Sequence, residues 1–458
     1  MKSILLFLWA GLFTAMEVHA VDPNPVVQVL KDGPSIQKAL DVQPGRMLFL
    51  PAGDYEIAQS IRLTGTHVGI YGPGHIIQAN PDAAIIEIND ATDVQLRDLV
   101  LSRPEGKMDT KQPAIRVMKS RDVVLSNLQI SDNRSDFASV YVQECALFQM
   151  RDCLVQNYSR IAIDDRTKNP LYGYAFNCID GTGVMVKKTK GVRIEGNRII
   201  ELAMVPTPEL KDKFHLGTVI KKNAERGALI NQASWDAGYV NIWQQGAALQ
   251  VTSPETTDAV QILSNYIENA AQGIDLHADH VIVSQNIVNN AAVGIKAMHG
   301  ARNVLITGNQ FLKNDLWSIG LMPGSASHYA GQPVHAVERP EENEANVDGH
   351  SIIANNIISD FGYGNTHWIW GDAGTPFKFD NGQTPANPPL RDVVLQGNIV
   401  YDTGHDQVIV DGKPKVEPPR YKYAVTIAGG ADAPQGLHFT GNLFDPGTEG
   451  VSNLPMAP

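Results

Sequence analysis

One pattern recurs along nearly the whole chain: alternating apolar residues, an Asn, then more apolar residues. It reads VVLSNLQI from Val123, VRIEGNRI from Val192, VQILSNYI from Val260, VIVSQNIV from Val281 and VLITGNQF from Val304. It returns as SIIANNII from Ser351, VVLQGNIV from Val393 and LHFTGNLF from Leu437. Asp replaces Asn in VQLRDLVL from Val94 and LFQMRDCL from Leu147, and a weaker copy surrounds Asn177. The aligned polar positions are Asp98, Asn127, Asp152, Asn177, Asn197, Asn265, Asn286, Asn309, Asn356, Asn398 and Asn442, and six of the ten gaps are 20 to 29 residues. Such a repeat implies a coil that climbs one strand spacing, about 4.8 Å, per turn. Val, Ile and Leu fill its inside, and the amides at the turn bond to the coils above and below. An α-solenoid would need 3.6 periodicity, which these segments lack. A leucine-rich repeat also carries an Asn, but on a denser Leu framework.

A second strand precedes each Asn strand by one short turn. Its expected copies are AIRVM from Ala114, SVYVQ from Ser139, RIAID from Arg160, GVMVK from Gly183, ALQVT from Ala248, GIDLH from Gly273, GIKAM from Gly294, SIGLM from Ser318, WIWGD from Trp368 and AVTIA from Ala424. Period-2 alternation then gives two outward columns. One runs Arg116, Tyr141, Ala162, Met185, Gln250, Asp275, Lys296, Gly320, and the other Met118, Gln143, Asp164, Lys187, Thr252, His277, Met298, Met322. Ahead of the coils, SIQKALDV over 35–42 has the spacing of a short amphipathic helix that plugs the open end. Pro44-Gly45 ends it and MLFLPAGDYEI opens the first strand-turn-strand.

The order plug helix, LPAGDY, then Asn-bearing coils resembles the pectate-lyase-like β-helix superfamily over residues 25–445. The resemblance implies an all-β, right-handed parallel β-helix of about ten to twelve coils. It implies a carbohydrate-handling protein but selects no activity, because that superfamily holds lyases, hydrolases, transferases, epimerases and phage or adhesin parts.

Met1-Lys2, the apolar Ile4–Met16 run and Val18-His19-Ala20 read as a secretory signal peptide over residues 1–20. An uncleaved membrane anchor is the plainer alternative, but the apolar run is short for a span. The expected location is secreted or periplasmic, without membrane insertion. A net charge of −12 argues against a nucleic-acid partner, and an anionic ligand would need a local basic patch. Length alone would suggest several domains, but the repeat implies a single solenoid over 21–458 with insertions at 202–245, 323–350, 371–391 and 401–423. The three cysteines, Cys145, Cys153 and Cys178, match no zinc motif. Cys153 and Cys178 each follow an aligned polar position on what read as adjacent coils, so they are expected to be neighbours, with a disulfide left open.

The insertions flank copies of the first strand, so they should stand beside one face and make a groove over it. The candidate catalytic residues are the outward Asp275, His277 and Lys296 of the central coils, with Asp164, Asp165 and Lys187 as a reserve site. His299, Gln250, Arg226, Trp235, Trp243 and Trp368 are candidates for holding sugar, because sugar rings present an apolar face to aromatics. Trp317 starts a coil in the same region. The plain alternative is that Asp stacked over Lys is ordinary cross-strand stabilisation, about 0.2–1 kcal/mol. Uronate β-elimination needs a base for the C5 proton and a cation, lysine or Asp-bound Ca²⁺, on the carboxylate. Glycoside hydrolysis needs two carboxyls at a set separation. The expected function is cleavage of a uronate-containing polysaccharide or oligosaccharide. The alternatives are a hydrolase or glycosyl transferase, and a non-catalytic glycan-binding solenoid. Met185, Met298 and Met322 project outward and need cover from an insertion or from another subunit, as in a side-to-side homotrimer.

Overall fold

The computed structural model describes residues 33–42, 44–135, 137–169, 173–202, 242–244, 246–254, 256–334, 343–366, 374–381, 387–401, 408–415, 417–428 and 433–456; of 161–169, 173–180, 242–244, 408–410 and 414–415 it describes the backbone alone. Each coil lays down short parallel strands on three faces. The front face carries Ile115–Met118, Ala138–Gln143, Thr182–Lys187, Ala247–Thr252, Gln272–Leu276, Val293–Ala297, Trp317–Leu321, Thr375–Asp380 and Tyr423–Ala428. The second face carries the strands that lead into the Asn corner, such as Asp279–Ser284 and Arg302–Thr307. The two faces join into a 22-stranded sheet because the long strands Ile61–Tyr71 and Ile86–Arg97 run round the corner between them, and the third face is a separate 12-stranded sheet.

Alternation explains the core. Ile274, Leu276, Ile295, Val281 and Val283 point into the coil and are at most 1% exposed; each such burial contributes about 1.5–3 kcal/mol. The corner Asn residues form the expected ladder. Asn286 Oδ1 accepts the backbone N–H and the amide of Asn265, at 2.9 Å each, while its own amide donates to Ile262 O at 3.0 Å and Asn309 Oδ1 at 2.9 Å. The same bonds run from Asn197 through Asn265, Asn286, Asn309, Asn356 and Asn398 to Asn442. At the far end the helix Gly33–Val42 buries Ile36, Ala39 and Leu40 on the first coil. Gln37 brackets Arg62, donating to its carbonyl and accepting its N–H.

Four sequence expectations shift. Asp98, Asn127 and Asp152 stand one residue before the ladder, in left-handed backbone (φ 64°, 49° and 54°), a conformation Asn and Asp tolerate well. The ladder column at those coils holds Leu99, Leu128 and Cys153 instead, as the pairings Arg97 with Ser126 and Arg151 with Glu195 require. Second, RIAID is not a front strand: Arg160–Asn169 pairs antiparallel with Gly173–Asp180 in a hairpin, with Asp164 opposite Asn177, and Ile242–Gln244 adds a third strand. The front strand of that coil is Thr182–Lys187, which pairs directly with Ala138–Gln143. Ala162 and Asp164 therefore leave the columns, and Asn177 leaves the ladder. Third, the front strand placed at Trp368 is Thr375–Asp380, inside the expected 371–391 insertion. Fourth, Cys178 lies on the hairpin while the coil following Cys153 brings Asn197, whose Oδ1 accepts the Cys153 N–H at 2.9 Å. Cys153 is a free thiol, so it makes no disulfide with Cys178.

Candidate functional site

Pairing across the front face fixes one outward column: Tyr141, Met185, Gln250, Asp275, Lys296, Gly320, Lys378. Neighbours in it sit about 4.8 Å apart. Two residues along each strand runs the column that includes Lys187 and Thr252, and His277 continues it, with Thr252 Oγ1 3.2 Å from its Nδ1. Asp275 is the hub. Its Oδ2 accepts the Gln250 amide at 2.9 Å, and its Oδ1 lies 3.2 Å from Lys296 Nζ and 3.0 Å from His277 Nε2. The side chain is 5% exposed, against 18% for Lys296 and 12% for His277, so the carboxylate is the floor of the site and the Lys296 ammonium and the His277 ring are its walls. The contact with His277 is close enough for an ion pair but off the hydrogen-bond line; both atoms are out of solvent and retain unfilled bonding capacity. Burial alone would push the Asp275 carboxyl up; His277 and Lys296 outweigh it and hold it well below the usual carboxylate range.

His299 closes the end of the site. Its ring meets that of His277 edge-on, with centroids 4.5 Å apart. It stands at the corner after Lys296 with φ 59°. Its Nδ1 accepts the Ala326 N–H at 3.2 Å, which places its own proton on Nε2. Burial, then the His277 and Lys296 charges, hold its pKa well below 6.5, so the ring is neutral. The loop after Trp317–Leu321 makes this possible. Asn346 donates to the carbonyls of His299 and Ala326 at 2.9 and 2.8 Å. Buried Asp348 accepts the N–H groups of Gly300 and Ala301 at 2.8 and 3.0 Å, and Ser327 donates its hydroxyl to the other oxygen. Gly324 passes so close that a Cβ there would sit 2.1 Å from His299 Nδ1.

The family model for right-handed β-helix regions matches residues 83–311, half of the chain. The chain belongs to the right-handed β-helix family. No curated protein matches the sequence. Among solved structures, a hyperthermoactive exopolygalacturonase of Thermotoga maritima aligns with a TM-score of 0.53 and 10% identity, over 91% of this chain and 88% of that one. A mannuronan C-5 epimerase A-module of Azotobacter vinelandii aligns at 0.48 and 11%, over 92% and 93%. A PL6 alginate lyase bound to a trisaccharide aligns at 0.46 and 13%, over 90% and 82%. At these identities the likeness is one of fold.

Of the candidates, the β-helix brings Gln250, Asp275, His277, Lys296 and His299 together. Lys187 is in the His277 column but a coil beyond Thr252, and Asp164 and Asp165 sit on the hairpin, not stacked on Lys187. Trp243 lies on the short strand Ile242–Gln244; Arg226, Trp235 and Trp368 fall outside the described residues. Two residues were missed. Lys378 continues the Asp275 column beyond Gly320, and its Nζ is 3.3 Å from Asp380. The signal was TPFKFD, whose Phe377 and Phe379 point in and Lys378 and Asp380 out. Among the described residues no helix is long and apolar enough to cross a membrane, and no group of three or more His, Cys, Asp or Glu is arranged to hold a metal. A Ca²⁺ ion does not fit Asp275, whose oxygens face an ammonium, an imidazole and an amide N–H.

Proposed function

We propose that this is a secreted or periplasmic carbohydrate-active protein that cleaves an acidic, uronate-containing polysaccharide by β-elimination in the groove over the front face. The observation that carries the reading is the buried Asp275 carboxylate clamped under Lys296 and His277. The Lys296 ammonium, 3.2 Å from Asp275, is suited to neutralise the substrate carboxylate and so acidify the C5 proton. His277 is the proton carrier. It takes the proton as the C5–H and C4–O4 bonds break and the C4=C5 double bond forms, and passes it to O4 of the leaving sugar. The imidazolium so formed is compensated by Asp275 at 3.0 Å. His299, neutral with its proton on Nε2, adds a hydrogen-bond donor and no charge. Hydrolysis needs a protonated carboxyl and a second carboxylate; Asp275, the carboxylate at the hub, is held ionised.

One observation favours a second reading, glycan binding without turnover. His277 Nε2 has no open surface and faces Asp275, so the ring must move for substrate to reach it. Incubation with polygalacturonate, alginate and neutral glycans separates the two. Elimination gives ultraviolet absorbance from the new double bond, which Lys296→Ala and His277→Ala each lower a hundredfold or more while Lys187→Ala changes it little. Reducing ends without that absorbance, or retention without any product, defeats the elimination reading.

A further inference from the structure

Beyond Lys296 the column is interrupted by Gly320, between Lys296 on one side and Lys378 on the other. The backbone does not ask for glycine here, because its φ is not in the left-handed region. What the glycine gives is room. A Cβ at Gly320 would lie 3.0 and 3.4 Å from Cε3 and Cδ2 of Trp317 and 3.7 Å from the Lys378 Cβ. The Trp317 indole is therefore folded over the outward side of the sheet, filling the place a side chain would take. Trp317 is only half-buried. Lys378 beside it is 17% exposed, with Asp380 3.3 Å from its ammonium. Lys296 and Lys378 thus repeat one motif, a lysine within ion-pair distance of a neighbouring Asp, at about two strand spacings or ~9.6 Å, with an aromatic surface between them.

We infer that Trp317 and Lys378 form a second sugar subsite, in which the apolar face of one ring rests on the indole and the carboxylate of that acidic sugar meets Lys378. This rests on the reading of the groove as a polyuronate site and adds to it a subsite on the C-terminal side of Asp275, His277 and Lys296. The apolar faces of pyranose rings suit a flat indole. A lysine at the edge of that platform selects an acidic unit over a neutral one, because a hydrogen bond to a charged group is worth more than one between neutral groups.

The test is calorimetric titration of the full chain with galacturonate and mannuronate/guluronate oligomers of two to six units, and with a neutral xylo-oligomer, at a temperature where turnover is negligible. Trp317→Ala and Gly320→Val, which pushes the indole aside, should each weaken the longer acidic oligomers about threefold to tenfold. Both should leave the dimer nearly unaffected. Lys378→Met should weaken the longer acidic oligomers about tenfold and leave the dimer and any binding of the neutral oligomer nearly unchanged. Circular dichroism matching that of the unsubstituted protein shows that each variant is folded. If the three variants bind as the unsubstituted protein does while Lys296→Met weakens binding, the subsite is wrong and the Lys296 centre stands. If they weaken binding while Lys296→Met does not, the subsite stands and the centre falls. If no acidic oligomer binds, both are overturned.

Discussion

Asp275→Asn is the sharpest test of the electrostatics at the centre. The substitution keeps the shape of the side chain and removes its charge. Asp275 now receives an amide N–H at 2.9 Å and faces Lys296 and His277 at 3.2 and 3.0 Å. An Asn can turn its oxygen toward Gln250 or toward the Lys296–His277 side, but its NH₂ then opposes a donor on the other. Breaking a fully buried ion pair costs about 3–5 kcal/mol. Lys296 and His277 keep 18% and 12% of their side-chain surface, so water softens the loss and about 2–4 kcal/mol is expected at neutral pH. The sign with pH follows from the depressed pKa. The folded protein holds Asp275 ionised more strongly than the unfolded chain does, so its contribution is present above the ordinary value of 3.8 and is lost as pH falls through the folded value below it. Urea unfolding of both proteins at pH 7, 5 and 3 reads this. The gap should narrow between pH 5 and pH 3. A gap under about 1 kcal/mol at pH 7, or one that does not narrow between pH 5 and pH 3, refutes the hub assignment.

Asn286→Leu should cost about 2–3 kcal/mol in urea unfolding, because it strands the backbone N–H of Asn265 and takes one partner each from the Asn265 amide, the Ile262 carbonyl and Asn309 Oδ1 inside the wall. Burial raises the Asp348 carboxyl to about 7 from an ordinary 3.8. Its contribution is therefore largest below pH 3.8 and declines as pH rises toward 7, on the order of 4 kcal/mol at full effect; Asp348→Asn should flatten that part of the stability–pH curve. The thiols of Cys145 and Cys153 are pushed up by burial to about 11 and 12, so iodoacetamide should label neither in the folded protein at pH 8, as peptide mapping would show, and both after unfolding.

The regular part of this molecule was legible in the sequence because two short rules generate it: alternation fills the core, and Asn fills the corner. The errors fall where two structures obey the same rule. Asp98, Asn127 and Asp152 were aligned with the ladder because Asn and Asp also suit the left-handed residue one place earlier. RIAID alternates as well in a hairpin as in a coil, which moved Asp164 into the column; placing a front strand at WIWGD put TPFKFD inside an insertion and left Lys378 out. The Asp275–Lys296 neighbourhood was legible because a parallel register needs only equivalent positions on adjacent strands. The state of His299 was not, because it depends on Gly324, Ala326, Asn346 and Asp348, 25 or more residues further along and in no repeat.

That dependence explains why chemistry collects at one place on a uniform solenoid. Corner histidines occur elsewhere on it. His280 and His350 also have φ 50°, lie 3.1 and 3.5 Å from Asp258 and Asp392, and keep 63% and 47% of their side-chain surface. There solvent screens the pair, and each is an ordinary surface contact between coils. His299 has the same kind of backbone, but the loop after Trp317–Leu321 folds back over it, gives Nδ1 a backbone N–H and removes its water. The coil supplies position to within a strand spacing, and the insertion supplies the environment that decides protonation. A front-face residue becomes a site residue only where both act on it. Asp275, His277, Lys296 and His299 meet that condition together.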